Sequence, residues 1–342
     1  MSTTKNIFYF FIGTLVFTAC DSGPDNQAER QKRLADSIAY IDSVEFADSL
    51  NSIKDENQSY SEAYDKALKL WETPFEERDV KTSFGNAHII ISGPPNAKPL
   101  ILLHGMNASS TMWYPNVGAL SETYRVYAID FLLEPGKSLC QGDVTNTAQI
   151  VNWYYEIFDQ LKLNQFSIVG ASRGGWLAIN IALHSPKRIE KIALLSPAQA
   201  FTWIKPKGDV ISNVTYSMNP KRKRLRDVLQ TMTFNVDNIS QVYINQYYIG
   251  TKEATISKCI LQMTPFSDDQ LKSLKMPVLV LIGDNDIING DKSLAKAREL
   301  IRNVETDKVS NAGHFLSFDQ AALVNKRVLE FLNKRNPGPA KK

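Results

Sequence analysis

A serine stands at the centre of the segment Gly170-Ala171-Ser172-Arg173-Gly174, between an apolar run that predicts a strand and an amphipathic run that predicts a helix. A serine hydroxyl is a weak nucleophile until a neighbouring base accepts its proton. A tight turn between strand and helix exposes the hydroxyl, and the flanking glycines allow the turn to pass close to other backbone. The pattern therefore predicts a nucleophile at Ser172.

A base and an acid for this serine follow later in the chain. His314 comes after the last predicted strand, and Asp286 comes after the strand before it. The order serine, acid, histidine is one of three known triad orders, and it is the one that accompanies a strand–serine–helix turn. We expect His314 to act as general base and Asp286 to fix its tautomer. Asp284 is an alternative acid, although Asp286 lies farther beyond the strand end.

Acyl transfer through a serine also needs donors for the negative oxygen of the tetrahedral intermediate. The segment His104-Gly105-Met106 ends a predicted strand, and Arg173 directly follows the nucleophile. We expect the backbone N–H groups of Met106 and Arg173 to form this oxyanion hole. His104 is then expected to brace the loop and not to act as a second base.

The elements that must position these residues alternate between short β-branched runs and longer amphipathic runs, which predicts βαβ units and a mostly parallel, doubly wound α/β sheet. The predicted strands are His88 to Ser92, Leu100 to His104, Arg125 to Asp130, Ser167 to Gly170, Lys191 to Leu195, Val278 to Ile282 and Glu305 to Val309. The predicted helices are Ser110 to Leu120, Thr147 to Leu161, Gly174 to His184, Lys292 to Arg302 and Ser317 to Asn333, the last with a capping-box spacing of Ser317 and Gln320.

One segment interrupts the alternation. From about residue 200 to 274 the chain becomes rich in aromatic residues and methionine, which predicts an inserted helical cap. Most of these side chains are expected to form the core of the cap itself. A few are expected to line an apolar substrate pocket that excludes water.

The first twenty residues differ from the rest of the chain. Lys5 precedes an apolar stretch from Ile7 to Val16, and Ala19 precedes Cys20. The stretch is short for a membrane-spanning helix and is typical of a signal sequence. The segment resembles a bacterial lipoprotein signal, which implies lipid anchoring through Cys20 in the cell envelope. Simple secretion with an incidental cysteine is the alternative. Residues 21–60 are polar and predict a spacer before a catalytic body at residues 61–336.

The bulk composition is that of an ordinary globular protein, with 342 residues and a formal net charge of +3. One basic run, Lys221 to Arg224, is too small to predict nucleic-acid binding. The four histidines are scattered, so no metal site and no cofactor are predicted. Cys140 and Cys259 are either one disulfide pair or two free thiols.

Taken together, these residues resemble the α/β-hydrolase superfamily from about Tyr64 to Leu332, with carboxylesterase-like members the nearest in pattern. The resemblance rests on Leu102 to Gly105, on Glu134 to Ser138 after Asp130, on the serine turn, on Leu195-Ser196-Pro197, and on the acid and histidine loops. The segment after Asp130 is longer than the family pattern and lacks one glycine. A serine at the turn argues against members that resemble haloalkane dehalogenases and epoxide hydrolases, which attack through a carboxylate.

The resemblance implies a serine hydrolase that cleaves carboxylic esters of small or medium acyl substrates through an acyl-enzyme. The same triad also occurs in lactonases, thioesterases, aminopeptidases, carbon–carbon bond hydrolases and cofactor-free peroxidases, and a shared fold does not separate them. A membrane-tethered binding protein without catalysis is a hypothesis from a different class. Because every triad position is filled, we prefer the enzyme.

Overall fold

The structure is a computed structural model, and it describes residues 58–254 and 263–335. The predicted signal at residues 1–20 with Cys20, nearly all of the predicted spacer, and Cys259 lie outside those residues. Cys140 is an exposed free thiol. Within the described ranges, no helix is long and apolar enough to cross a membrane.

Nine strands of the described chain form one sheet. They are β1 (Phe75–Thr82), β2 (Gly85–Ser92), β3 (Lys98–Leu103), β4 (Tyr124–Ile129), β5 (Leu139–Cys140), β6 (Phe166–Ala171), β7 (Ile189–Leu195), β8 (Val278–Gly283) and β9 (Val304–Val309). The strand order is β1-β2-β4-β3-β6-β7-β8-β9, with β5 paired to β2. The pairs from β4 to β9 are parallel, and β2 is antiparallel to its neighbours. This sheet confirms the predicted fold class.

The central strands are nearly continuous apolar runs because helices cover both faces of the sheet. Every residue of β6 and β8 is buried. The helices are α1 (Tyr60–Leu68), α2 (Tyr114–Ser121), α3 (Thr147–Gln160), α4 (Arg173–His184), α5 (Gly208–Met218), α6 (Arg222–Met232), α7 (Gln241–Glu253), α8 (Asp268–Lys272), α9 (Asp291–Leu300), α10 (Leu316–Asp319) and α11 (Ala321–Asn333). Because β3, β6, β8 and β9 belong to the parallel part of the sheet, their carboxyl ends lie at the same edge, and the loops that follow them converge there.

The helices α5 to α8 follow β7 and precede β8, in the range where the sequence predicts a cap. In α6 the buried residues Leu225, Val228 and Leu229 recur at helical spacing, so one face of this helix packs inward. The basic run Lys221 to Arg224 begins the same helix. Its Arg224 donates a hydrogen bond to Ser212 on α5, at 3.1 Å.

The structure corrects three details of the predicted elements. It contains β1, which the sequence pattern missed because Val80 is the one buried residue of that strand. The residues predicted to begin a helix at Ser110 form a 3-10 turn before α2. The helix predicted to run from Ser317 is broken between α10 and α11, so the capping-box prediction is wrong. Ser317 is buried within α10 and caps nothing.

Candidate active site

The turn that carries Ser172 joins β6 directly to α4. Ser172 has a φ of 51°, in the left-handed region that non-glycine residues rarely adopt, and such strain is common where a side chain must be held in a functional position. Its N–H donates to the carbonyl of Leu195 at 2.9 Å, and its carbonyl accepts from Ala198 at 3.1 Å. A side chain at position 174 would lie 2.1 Å from the Leu103 carbonyl, so the turn requires glycine there.

Three side chains from three loops form one chain of hydrogen bonds. The Ser172 hydroxyl lies 2.8 Å from Nε2 of His314, and Nδ1 of His314 lies 3.0 Å from Oδ1 of Asp286. An ionised carboxylate can only accept, so Nδ1 carries the proton and Nε2 is free to accept the proton of the serine. The side chains of His314 and Asp286 are fully buried. This is the geometry of a base oriented for proton transfer from Ser172.

Asp286 is held as an anion by its surroundings. Burial raises its pKa, but the adjacent His314 and the hydrogen bonds to the carboxylate outweigh burial and lower the pKa to about 2. The N–H groups of Ile288 and Asn289 donate to Oδ1 at 2.8 and 3.2 Å, and the Asn289 amide donates to Oδ2 at 3.0 Å. The carboxylate is therefore charged at neutral pH and can stabilise a protonated His314.

The alternative acid, Asp284, makes different contacts. It accepts from the N–H groups of Asn311 and Ala312 at 3.2 and 3.1 Å, in the loop that carries His314. Burial raises its pKa, but the hydrogen bonds from Ala312, Asn311 and the Asn285 amide together outweigh burial and lower it. The structure thus places Asp286 against His314 and Asp284 against the backbone of the histidine loop.

A third carboxylate, Asp319 of α10, holds the other side of the histidine loop. It accepts from the N–H of Gly313 at 2.8 Å and from the N–H groups of Phe234 and Asn235 at 2.8 and 3.1 Å. Phe234 and Asn235 follow α6, so Asp319 joins the loop to the cap. Burial raises the pKa of Asp319, and these three hydrogen bonds oppose the rise. The role of Asp319 was not predicted from the sequence, because positions 317–320 have the pattern of a helix start.

The loop that contains Met106 passes directly over the nucleophile. A side chain at Gly105 would lie 3.4 Å from Cβ of Ser172, so the backbone of this loop is close to the reacting oxygen. The residues predicted as oxyanion donors, Met106 and Arg173, therefore flank the Ser172 side chain from the β3 loop and from the first turn of α4. That their backbone N–H groups receive the charge of a tetrahedral intermediate stays a prediction.

His104 is placed as a brace. Its Nε2 accepts from the N–H of Phe131 at 2.8 Å, so Nδ1 carries the proton and donates to the Gly105 carbonyl at 2.9 Å. Burial, assisted by the nearby positive charge of Arg173, lowers its pKa to about 4. His104 is therefore neutral at physiological pH, and neither of its ring nitrogens faces Ser172.

A buried ion pair lies behind the same loop. Arg173 and Glu134 form a salt bridge, and their side chains are 3% and 2% exposed. The guanidinium lies 4.2 Å from the centre of the Phe131 ring. Burial raises the pKa of Glu134, and the charge of Arg173 opposes that rise. The sequence held one signal of this pair: a charged side chain at position 173, directly before a buried helix face, needs a partner. No spacing rule identifies that partner as Glu134.

A cavity of about 200 Å³ opens over Ser172 and His314. Most of its wall is apolar and comes from both the sheet loops and the cap. The residues that contribute from the cap and its connections include Ile204, Val210, Val214, Met232, Tyr243 and Tyr247. Of the aromatic and methionine residues predicted for the cap, Met232, Tyr243 and Tyr247 line the cavity and Tyr216 is buried elsewhere. The expectation that most of them form the core of the cap is wrong, because Trp203, Met218 and Phe234 are exposed. Among the described residues, no cluster of histidine, cysteine or acidic side chains is arranged to hold a metal ion.

The fold and this site are those of a hydrolase with a nucleophilic serine. A family model described as the alpha/beta hydrolase fold matches residues 98–321. The chain belongs to this family.

Among its relatives, the chain is 33% identical over 297 residues to "Carboxylesterase YbfK" of Bacillus subtilis, covering 85% of this chain and 97% of the relative. It is 31% identical over 294 residues to "Uncharacterized carboxylesterase nap" of the same organism, covering 83% and 96%. The crystal structure of naproxen esterase (carboxylesterase NP) from Bacillus subtilis superposes with a TM-score of 0.76 at 30% identity, over 82% of this chain and 99% of that one. Each relative is matched over nearly its whole length.

Proposed function

We propose that this protein is a carboxylic ester hydrolase that acts through an acyl-enzyme on Ser172, with His314 as the general base and Asp286 as the acid of the triad. The observation that carries the proposal is the unbroken chain of hydrogen bonds from Ser172 through His314 to Asp286, beside an apolar cavity. The similarity to carboxylesterases at 31 and 33% identity supports the choice of ester over other acyl bonds.

The reaction follows from these positions. The Ser172 oxygen attacks the ester carbonyl while His314 takes its proton, and the carbonyl oxygen becomes an oxyanion facing the N–H groups of Met106 and Arg173. The intermediate collapses, and His314 returns the proton to the departing alcohol. Water then attacks the acyl-enzyme and loses a proton to His314, which passes that proton to the departing Ser172 oxygen as the ester bond to the enzyme breaks and the free acid is released. Asp286 stabilises the charged imidazole in both steps.

The size of the cavity supports small or medium acyl groups. An apolar cavity of about 150 Å³ accepts benzene, and the cavity over Ser172 is about 200 Å³. Its wall has polar side chains at Asn213 and Ser217 in addition to the catalytic groups. An acyl group of roughly the size of a phenyl ring with a short chain is therefore the substrate class that fits.

We further propose that the mature protein is anchored in the cell envelope by a lipid on Cys20, with residues 21–60 as a spacer. The support is the sequence pattern of residues 1–20. The prediction is tested by membrane fractionation and radioactive fatty-acid labelling of the full chain beside Cys20→Ala. Labelled, membrane-bound protein that becomes unlabelled and soluble in the variant supports the anchor; equal, unlabelled fractions for both contradict it.

The activity is tested with a series of p-nitrophenyl esters of increasing chain length and the chain lacking residues 1–20. We expect hydrolysis to be greatest for short and medium chains, and Ser172→Ala to lose about 10⁴-fold or more in kcat. The same variant with unchanged activity would contradict the proposed nucleophile. Absence of hydrolysis on every ester would contradict the proposed bond type.

A further inference from the structure

The peptide group between Gly105 and Met106 lies between the nucleophile loop and the positive charge of Arg173. A trans peptide is planar, and its N–H and C=O point in opposite directions. The N–H of this peptide group belongs to Met106 and is the one proposed to donate to the oxyanion. The carbonyl of the same unit, at Gly105, accepts from the Arg173 guanidinium at 3.3 Å and from His104 at 2.9 Å.

The guanidinium of Arg173 is itself held in one position. Glu134 pairs with it, Phe131 packs against its face, and both charged side chains are buried. The second oxygen of Glu134 accepts from the N–H of Asn107 at 2.7 Å. Asn107 has a φ of 56°, so the loop turns sharply at this residue. The ion pair therefore holds the backbone immediately before and immediately after Met106.

We propose that Glu134 and the side chain of Arg173 are positioning residues for the oxyanion hole, which orient the Gly105–Met106 peptide so that its N–H points at the developing charge. This inference rests on the proposed function and extends it. Fixing the carbonyl fixes the direction of the N–H, because both belong to one plane. A cation at the carbonyl oxygen also polarises the peptide and strengthens its N–H as a donor. Preorganised donors of this kind stabilise the transition state more than the bound substrate.

Arg173 acts on both donors in this arrangement. Its backbone N–H is one of the two, and its side chain, together with His104, orients the other. This dual role offers a reason for a buried ion pair at this place. Such a pair is weak evidence for stability, since apolar side chains of similar volume often replace it without loss. The role in orientation predicts that replacement here lowers the rate even where the fold is kept.

The test uses the double variant Glu134→Gln/Arg173→Met, which removes both charges and keeps side-chain volume, so that no unpaired charge is left buried. We expect kcat on p-nitrophenyl esters to fall about tenfold or more, toward the hundredfold known for loss of one oxyanion donor. KM should change less than about twofold, because the ground-state ester makes little use of the hole. Thermal unfolding verifies that the variant is folded.

A second measurement, the affinity for a boronic acid, reports on the oxyanion hole without substrate turnover. Phenylboronic acid forms a bond from boron to the Ser172 oxygen, the serine proton passes to His314, and a boron-bound hydroxyl occupies the position of the oxyanion. We expect the double variant to bind this inhibitor about tenfold more weakly, in proportion to its loss of kcat. Arg173→Lys, which keeps the charge but not the fork of donors, should be intermediate in both measurements. If the double variant does not fold, Arg173→Lys is used in its place.

The matched control is Arg327→Met, which removes another ion-paired arginine, on α11, from Glu305 and Asp307. It should leave kcat and boronate affinity unchanged. Wild-type values of both quantities in the double variant would overturn the proposal, as would a loss of rate that appears wholly in KM. A wild-type protein that binds the boronate and hydrolyses no ester would contradict the proposed function alone, since boronate affinity still reports on the hole.

Discussion

The two halves of the candidate active site are held in place by different kinds of interaction. In the half that contains the proposed nucleophile and oxyanion donors, a neutral histidine and a paired arginine and glutamate are all buried. In the half that contains the acid and base, carboxylates that accept backbone N–H groups fix the loops, and one of them, Asp284, is exposed. Side chains bond to loop backbone in both halves, but those of the first half are all buried, whereas the second half also relies on an exposed carboxylate.

The halves also differ in what they touch. The turn that carries Ser172 is hydrogen-bonded to the end of β7 and packs against the end of β3, so the sheet holds it in place. The histidine loop is bonded to the cap, through Asp319 and through the hydrogen bond from the Phe315 N–H to the Met232 carbonyl at 2.9 Å. We infer that changes in the cap affect the position of the base more than that of the nucleophile.

The largest expected effect distinguishes two carboxylates of the acid–base half. Asp286→Asn should lower kcat by about 10³- to 10⁴-fold, because the amide cannot fix the required tautomer of His314 or stabilise its charge. Asp284→Asn, two residues away, should lower kcat by less than about tenfold, because it alters hydrogen bonds to loop backbone and to the Asn285 amide and none to His314. Steady-state kinetics on one ester measures both. A larger loss for Asp284→Asn would exchange the two assignments, and equal losses would contradict the assignment of the acid to Asp286 alone.

The next effect concerns the buried histidine of the nucleophile half. The pKa of His104 is lowered to about 4 in the folded protein, so the unfolded chain takes up a proton at higher pH than the native state does. Its contribution to stability is complete above the ordinary histidine pKa of about 6.5 and is lost as pH falls to about 4.

We expect this loss to reach up to about 3 kcal/mol in the free energy of unfolding, measured by urea denaturation at several pH values. His104→Gln should show a flatter pH dependence between those limits. An equally steep decrease in the variant would assign the effect to other groups.

The smallest effect tests the contact between the histidine loop and the cap. Asp319→Asn removes the charge that accepts three N–H groups, so we expect kcat to fall about tenfold and stability to fall by about 1 to 3 kcal/mol. Asp159→Asn, which breaks an exposed pair with Arg188, is the matched control and should cost less than about 1 kcal/mol. If Asp319→Asn matches the control in both rate and stability, the base does not depend on the cap.

The parts of the molecule that the sequence predicted are those with a regular pattern of apolar residues. The central strands were predictable because a strand buried on both faces is a run of apolar residues, as in β6 and β8. The turn at Ser172 and the loops of Asp286 and His314 follow from those strand ends. By contrast, β1 exposes most of its residues, so it leaves no apolar pattern.

The supporting shell of the site was not predictable in the same way. Glu134 and Arg173 are far apart in sequence, and their pairing depends on how the loop after β4 folds back. Asp319 lies in a segment predicted as a regular helix start. Its carboxylate instead accepts hydrogen bonds from the N–H groups of Gly313 and of Phe234 in the cap. Interactions that join distant loops through single side chains carry no periodicity, and the sequence pattern therefore does not reveal them.

The central claim is that Ser172 is a nucleophile activated by His314. It is tested most directly by treating the protein with a fluorophosphonate probe and mapping the adduct by mass spectrometry. We predict one labelled peptide, modified at Ser172, with labelling slowed by orders of magnitude in His314→Ala. No adduct on a folded wild-type protein, or an adduct on another residue with Ser172 unmodified, would contradict the account.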